Sequence, residues 1–382
     1  MRFVIPSLSG HMFKNKFFRR FPIETWLVGI PSLFILFFTI LATWHSKITT
    51  GGFINSIIFS LVGERFLESG LIFVYFYIYM RLIWIIVKKI KDQESWKSIW
   101  TELCKFLRSI IFWICIITIS TFAFSHTLAI IFQTSSLVRI ARASHALFFT
   151  DFFIFKAYPA NALNIFFASH AFVGYVCLIS YMILSFVVSA TLIILICSNT
   201  KSFRRFLMCF LITGYIGLIF WYFIPATSPR GYIDINITQS SIQALAPYKA
   251  TLAPVTTPFI IQTDKLWIDP ANTSFNVSTF PSMHATWATL VLLSLVVLYR
   301  RSAIILIPWC IALCIGAIAI YEHYFVDIVA GLLLGSLTFA AITRLLAFED
   351  TYFTDTYSLM YIWELIRADT RMAKKFLISL WK

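Results

Sequence analysis

"STFPSMHATWATLVLLSLVVLYRR" runs from Ser278 to Arg301. It passes from a polar mouth, through an apolar run that begins near His284, to the arginine pair Arg300 and Arg301. An uninterrupted apolar run closed by basic residues has the pattern of a helix that crosses a bilayer. A histidine is costly in hydrocarbon, so the proline, serine and histidine at the mouth of this span mark a place that does more than anchor the chain.

The rest of the chain has the same character. Of 382 residues, 59% are hydrophobic, 18% aromatic and only 13% charged, and mean hydropathy is +0.83. That balance excludes a soluble domain. Apolar runs recur at 25–44, 71–87, 109–132, 170–197, 206–224, 284–299, 302–320 and 327–346. They predict an all-α polytopic membrane bundle of about eight transmembrane helices. The weakest of them, 71–87, contains Arg81.

The net charge of +14 is not a nucleic-acid signal, because the basic residues gather in short links between spans. Lys88, Lys89, Lys91, Lys97, Lys105 and Arg108, then Lys201, Arg204 and Arg205, then Arg300 and Arg301 fall on one side with the basic N-terminus, assigned to the cytoplasm. Both termini are expected there. The apolar stretch from Trp26 to Trp44 is too long for a signal peptide and reads as a retained span. The segments 134–169, 225–283 and 321–326 face the other side. Seven cysteines contain no CxxC pair and sit mostly in apolar stretches, so no disulfide framework or zinc site is read. The expected organisation is a two-span extension with a basic loop (1–108), a six-helix catalytic core (109–346) and a cytoplasmic amphipathic tail (347–382). In that tail Arg371, Lys374 and Lys375 mix with Phe376, Leu377 and Trp381.

Three stretches bring polar groups to the outer face. They are "FIPATSPRGY" (Phe223 to Tyr232), "FPSMHA" (Phe280 to Ala285) and "YEHYFVDIVAG" (Tyr321 to Gly331). His323 and Asp327 are four apart, hence on one face of a helix. A carboxylate there fixes the tautomer of the imidazole and frees its other nitrogen as base or nucleophile. His284 supplies a second imidazole, able to give a proton to a leaving group. Arg230 is a planar fork suited to phosphate oxygens. Ser282 and the N–H groups opening the sixth span are further donors. Together these parts fit attack on a phosphorus centre.

"FPSMHA", then "HYFVD" and "IVAG", resembles the second and third signature motifs of the type 2 phosphatidic acid phosphatase superfamily. The form of those motifs, with Pro229-Arg230 upstream, is most similar to the inositol phosphorylceramide synthase-like branch. The resemblance covers roughly 200–345. It implies that His323 is a nucleophile forming a phosphohistidine, Asp327 its orienting carboxylate, His284 the acid for the leaving group and Arg230 the first-motif arginine. It also implies metal-independent chemistry on lipid phosphates or phosphodiesters, with no cofactor. Two departures stand out. Ala317 occupies the place of an arginine six residues before the nucleophile, and Phe223 and Ile224 stand where a lysine is usual. Both losses fall where a phosphate dianion would be gripped, which favours a diester.

Each residue also has a plainer reading. Asp327 and Ser282 are suited to capping helices, and Arg230 to anchoring at the interface. "RIARASHALFFTD" (Arg139 to Asp151) is either a headgroup site built on Arg139, Arg142 and His145 or an amphipathic helix on the membrane surface. His126 and His170 read as ordinary structural histidines. The expected function is transfer of a phosphoryl-linked headgroup from a membrane lipid donor to a lipid or alcohol acceptor, with no nucleic-acid partner. The alternatives are a lipid phosphate phosphatase, a transporter using a His/Asp proton relay, and a metal site of two histidines and an aspartate. The expected location is a bacterial inner membrane with a periplasmic site, or alternatively a Golgi or ER membrane with a lumenal one. The sequence sets no oligomeric state.

Overall fold

The computed structural model describes residues 25–45, 95–198, 200–238 and 279–352, with the isolated positions 83 and 87. Among these the chain is about 88% helical and has no strand. Apart from those two positions, the expected span 71–87 lies outside the described residues. So do residues 239–278 of the loop expected on the outer face and the tail from 353 onward.

A π-helical turn, Thr25–Gly29, leads into α1 (Ile30–His45). The next helices are α2 (Trp96–Thr134), α3 (Leu137–Phe155) and α4 (Pro159–Ser169). Then come α5 (Ala171–Met182), α6 (Leu184–Ser198), α7 (Thr200–Phe223) and α8 (Pro229–Thr238). The last three are α9 (Met283–Leu298), α10 (Ala303–Ala319) and α11 (Phe325–Tyr352).

Among the described residues three stretches are long and apolar enough to cross a bilayer: Lys201–Phe223, Arg300–Ala319 and Phe325–Ala347. The expected span 170–197 is instead two helices, α5 and α6, bent by 52° where Ile183 leaves the helical region. Counted as one broken span, this pair makes a fourth. The expected span 284–299 is the 16-residue α9, and Leu27–Phe38 is likewise a shorter apolar helix. The basic link before 109 is partly helical too, because α2 starts at Trp96 behind an N-cap, Ser95. The segment 134–169, expected on the outer face, forms α3 and α4.

Helix α9 is the hub, packed against α6, α7, α10 and α11. Ala285, Ala288, Leu290, Val291 and Ser294 around it are all buried, which explains why the segment is apolar on every side. Its closest approach is to α11, at the small-residue pair Gly331 and Gly335. A Cβ at Gly331 would run into the Ser282 carbonyl, and one at Gly335 would lie 2.8 Å from the Thr286 carbonyl. Small residues four apart are the usual means of bringing two membrane helices together. The Thr286 hydroxyl bridges the contact, 2.8 Å from the Ser282 carbonyl and 3.0 Å from that of Gly331. At the N-terminal end, α1 joins the bundle through Ser32, whose hydroxyl meets Ser120 of α2 at 2.9 Å and also Tyr215 of α7.

Candidate active site

The site forms where α9 and α11 begin. Ser282 caps α9, its Oγ accepting the Ala285 N–H at 3.3 Å, while its own N–H donates to the Asp327 carbonyl at 3.0 Å. These bonds set the start of α9 against the first turn of α11. They place His284 opposite the turn that carries His323.

That turn is unusual. Tyr321 has φ 60°, a left-handed conformation that costs a non-glycine residue about 1–2 kcal/mol. It is held from three sides. The N–H groups of Glu322 and His323 both donate to the Ala317 carbonyl, at 3.1 and 3.2 Å. The Tyr321 hydroxyl donates to Asn161 at 2.6 Å. The Tyr321 carbonyl accepts the Arg230 N–H at 3.1 Å. In α4, Asn164 also donates to the Ala319 carbonyl at 2.7 Å. A strained residue persists where its surroundings over-determine it, and here the strain serves to present His323.

His284 Nδ1 and His323 Nε2 are 3.2 Å apart, and His323 Nδ1 lies 3.5 Å from Asp327 Oδ2. The same carboxylate oxygen accepts the Tyr324 N–H at 3.0 Å. The second distance exceeds a hydrogen bond, yet the pair is buried, with Asp327 fully so. A proton on His323 Nδ1 faces the carboxylate and leaves the Nε2 lone pair toward His284, whose Nδ1–H then donates to it. Burial pushes His323 down to about 4 from an ordinary 6.5, against an opposing pull from the Thr279 carbonyl. The ring is therefore neutral around pH 7. Tyr181 of α5 lies against the His284 ring, with centroids 4.6 Å apart.

Arg230 opens α8 and is partly buried beside the turn. Its charge acts on Glu322, whose carboxyl is raised by burial and lowered in part by the guanidinium. The sequence reading assigned Glu322 no role. It named Asp151 only as the end of the Arg139 to Asp151 stretch and gave no role to Asn161 and Asn164; the three pin the turn and the first residues of α11 from α3 and α4.

The other sequence candidates lie on α3. Arg139 donates to the Tyr222 carbonyl at 2.6 Å and lies over the Tyr222 ring at 5.8 Å. His145 Nδ1 meets the Tyr232 hydroxyl at 2.8 Å. Arg142 is exposed. The first two contacts tie α3 to α7 and α8. The helix buries Ile140, Ala141, Ser144, Phe148 and Asp151 and exposes Phe149, Phe153, Ile154 and Phe155. His126 is buried against Phe122, and His170 stacks on Phe166 at 4.3 Å. Among the described residues, no group of three His, Cys, Asp or Glu side chains is placed to hold a metal ion.

The fold and site thus define a helical membrane protein with two facing imidazoles, one backed by a buried carboxylate. Residues 155–341, just under half the chain, match the family model of the PAP2 superfamily. The match supports an enzyme acting on phosphates, with chemistry of the phosphatase or phosphotransferase kind. No curated protein and no solved structure matches the chain.

Proposed function

We propose that the protein is a metal-independent lipid phosphotransferase of the inositol phosphorylceramide synthase-like kind. It moves a phosphoryl-linked headgroup from a membrane lipid to a lipid or alcohol acceptor through a phosphohistidine on His323. The observation that carries the proposal is the line Asp327–His323–His284, with its contacts of 3.5 and 3.2 Å. In the first half-reaction His284 is an imidazolium that has turned a proton toward the leaving oxygen; His323 Nε2 forms a bond to phosphorus, the bond from phosphorus to that oxygen breaks, and the oxygen takes a proton from His284, which is left neutral. Asp327 steadies the positive charge on the imidazole. In the second, the acceptor hydroxyl gives its proton to His284, its oxygen bonds to phosphorus, and the N–P bond breaks.

Charge supports a diester substrate. Arg230 is a cation placed at the turn, and its guanidinium shares the place with the Glu322 carboxyl, which burial raises. Ala317, fully buried in α10, offers only its backbone carbonyl. A dianionic monoester would meet little net positive charge, whereas a diester carries one negative charge to neutralise. In this reading the site opens on the outer face, in a bacterial inner membrane, and the exposed aromatic side of α3 rests in the adjoining leaflet. The core spans 109–346, with the first two spans and the tail appended to it.

The test is incubation of purified protein with a panel of labelled phospholipids, with and without alcohol acceptors, read by mass spectrometry. Diacylglycerol released together with a headgroup-bearing acceptor supports transfer. Diacylglycerol together with the free headgroup phosphate, whatever acceptor is added, shows water as the acceptor and refutes it.

A further inference from the structure

Asp151 lies on α3, ahead of the segment that matches the family model. Its side chain is 1% exposed. Oδ2 accepts the Phe325 N–H at 2.7 Å and Oδ1 the Val326 N–H at 3.1 Å. Those are the first two residues of α11. The opening N–H groups of a helix have no partner within it and are usually met by a side chain just ahead in sequence. Here the residues just ahead are occupied in turning the chain and presenting His323. Asp327 reaches back to take the Tyr324 N–H, and the next two go to a carboxylate 174 and 175 positions away.

We propose that Asp151 is a positioning residue of the active site: it holds the first turn of α11 in place, and with it the alignment of Asp327 on His323. It also occupies N–H groups that would otherwise attract the substrate phosphate, leaving that anion to Arg230 and the start of α9. The inference rests on the phosphohistidine reading.

The carboxyl responds to pH. Burial raises it to about 6 from an ordinary 3.8, the Phe325 and Val326 N–H groups pull it down, and Asp327 raises it further. Tyr158 and Tyr324 also face it and keep their protons, being raised by burial. His145 and Lys156 sit on its own helix and at that helix's C-cap, and Arg230 and Tyr232 on α8, which packs against α3. On protonation one oxygen carries hydrogen and accepts only weakly, so one α11 amide loses its charge-assisted bond. Catalysis that depends on this anchor falls as pH drops through about 6.

Wild type, Asp151→Asn and Asp151→Glu are compared between pH 5 and 8 by phosphoenzyme formation from labelled lipid and by amide exchange at Phe325 and Val326. Asp151→Asn is expected to lower kcat about tenfold near neutral pH with KM little changed, the loss of one charge-assisted bond. The gap to wild type closes toward pH 5. The remaining acid limb moves toward that of His323, at about 4. Exchange at the two amides speeds up about tenfold as well. His145 is present in both proteins, so a limb that the variant loses belongs to Asp151. Asp151→Glu retains the charge at the wrong reach; it keeps the limb near 6 at a reduced rate, and it decides the matter if Asp151→Asn does not fold. Parallel pH profiles, unchanged amide exchange, or an Asp151→Glu profile without the limb would overturn the proposal. If wild type traps no phosphate on His323, the functional reading fails, and the exchange data still decide whether Asp151 anchors α11.

Discussion

Gly331→Ala tests whether the α9–α11 contact sets the catalytic geometry. The new Cβ would lie closer to the Ser282 carbonyl than any normal contact, and 3.1 Å from the Ala285 Cβ. A carbon and a carbonyl oxygen rest at about 3.3 Å or more, so the two helices have to part by about 1 Å. Neither neighbour is the free end of a flexible chain. The carbonyl belongs to Ser282, which accepts from Thr286 and whose N–H is bonded to Asp327. Two residues on is His284, 3.2 Å from His323. Overpacking of this kind costs about 1–3 kcal/mol of stability, and a shift of about 1 Å in a reacting group costs on the order of a hundredfold in rate. The expected result is a folded protein, with phosphohistidine formation reduced by about two orders of magnitude in rapid-mixing experiments. Gly335→Ala, whose Cβ meets the Thr286 carbonyl at 2.8 Å one turn deeper, should lose less. Gly214→Ala, 3.5 Å from the Phe124 ring, should be neutral. If Gly331→Ala turned over at the wild-type rate, or the three variants lost activity equally, the helix contact would not be setting the histidine pair.

Further outcomes follow from the same geometry. His284→Ala should cripple turnover of a lipid with a poor leaving group and largely spare a nitrophenyl ester, which departs without a proton; equal losses on both would remove the acid role. Asp327→Asn should lower the rate by about two to four orders of magnitude, and His323→Ala should trap no phosphate. EDTA should leave activity intact, and loss restored by zinc or manganese would reinstate a metal site. The pH dependence of stability has a definite sign: His323 titrates near 6.5 when unfolded and near 4 when folded. Its contribution is therefore complete above about 6.5 and lost as pH falls toward 4, so His323→Gln should flatten the thermal-unfolding profile in that window.

Much of the site is legible because its signals are local. His323 and Asp327 stand four apart, Ser282 immediately precedes the helix it caps, and a histidine at the mouth of an apolar run is anomalous wherever it occurs. The spans are legible for the same reason, since each is a property of one stretch of chain. Where the reading failed, the cause was packing. Nothing between Ala171 and Ser198 signals a bend; the segment has no proline, and its one glycine, Gly174, is far from Ile183. For the Arg139 to Asp151 stretch, weighed as a headgroup site or an amphipathic helix, the helix is present, and the contacts of Arg139 and His145 with Tyr222 and Tyr232 are not visible in sequence.

Two of the groups that the sequence left without a role, Asp151 and Asn164, act on backbone. Asp151 meets the amides of Phe325 and Val326, and Asn164 the Ala319 carbonyl; Asn161 secures the strained Tyr321 through its hydroxyl. A side chain that binds backbone leaves no mark on its partner's identity, because every non-proline residue offers the same N–H and C=O. The side chains proposed for catalysis must be particular residues and so can be found by type. The groups that hold them need only a carboxylate or an amide at the right point in space, and that point is fixed by the way α3 and α4 pack against the beginning of α11 and the end of α10. A short buried anion can exchange its partner segment without changing its chemistry. The positioning contacts of this site are therefore recoverable only from the fold, and Asp151 is where that dependence is open to measurement.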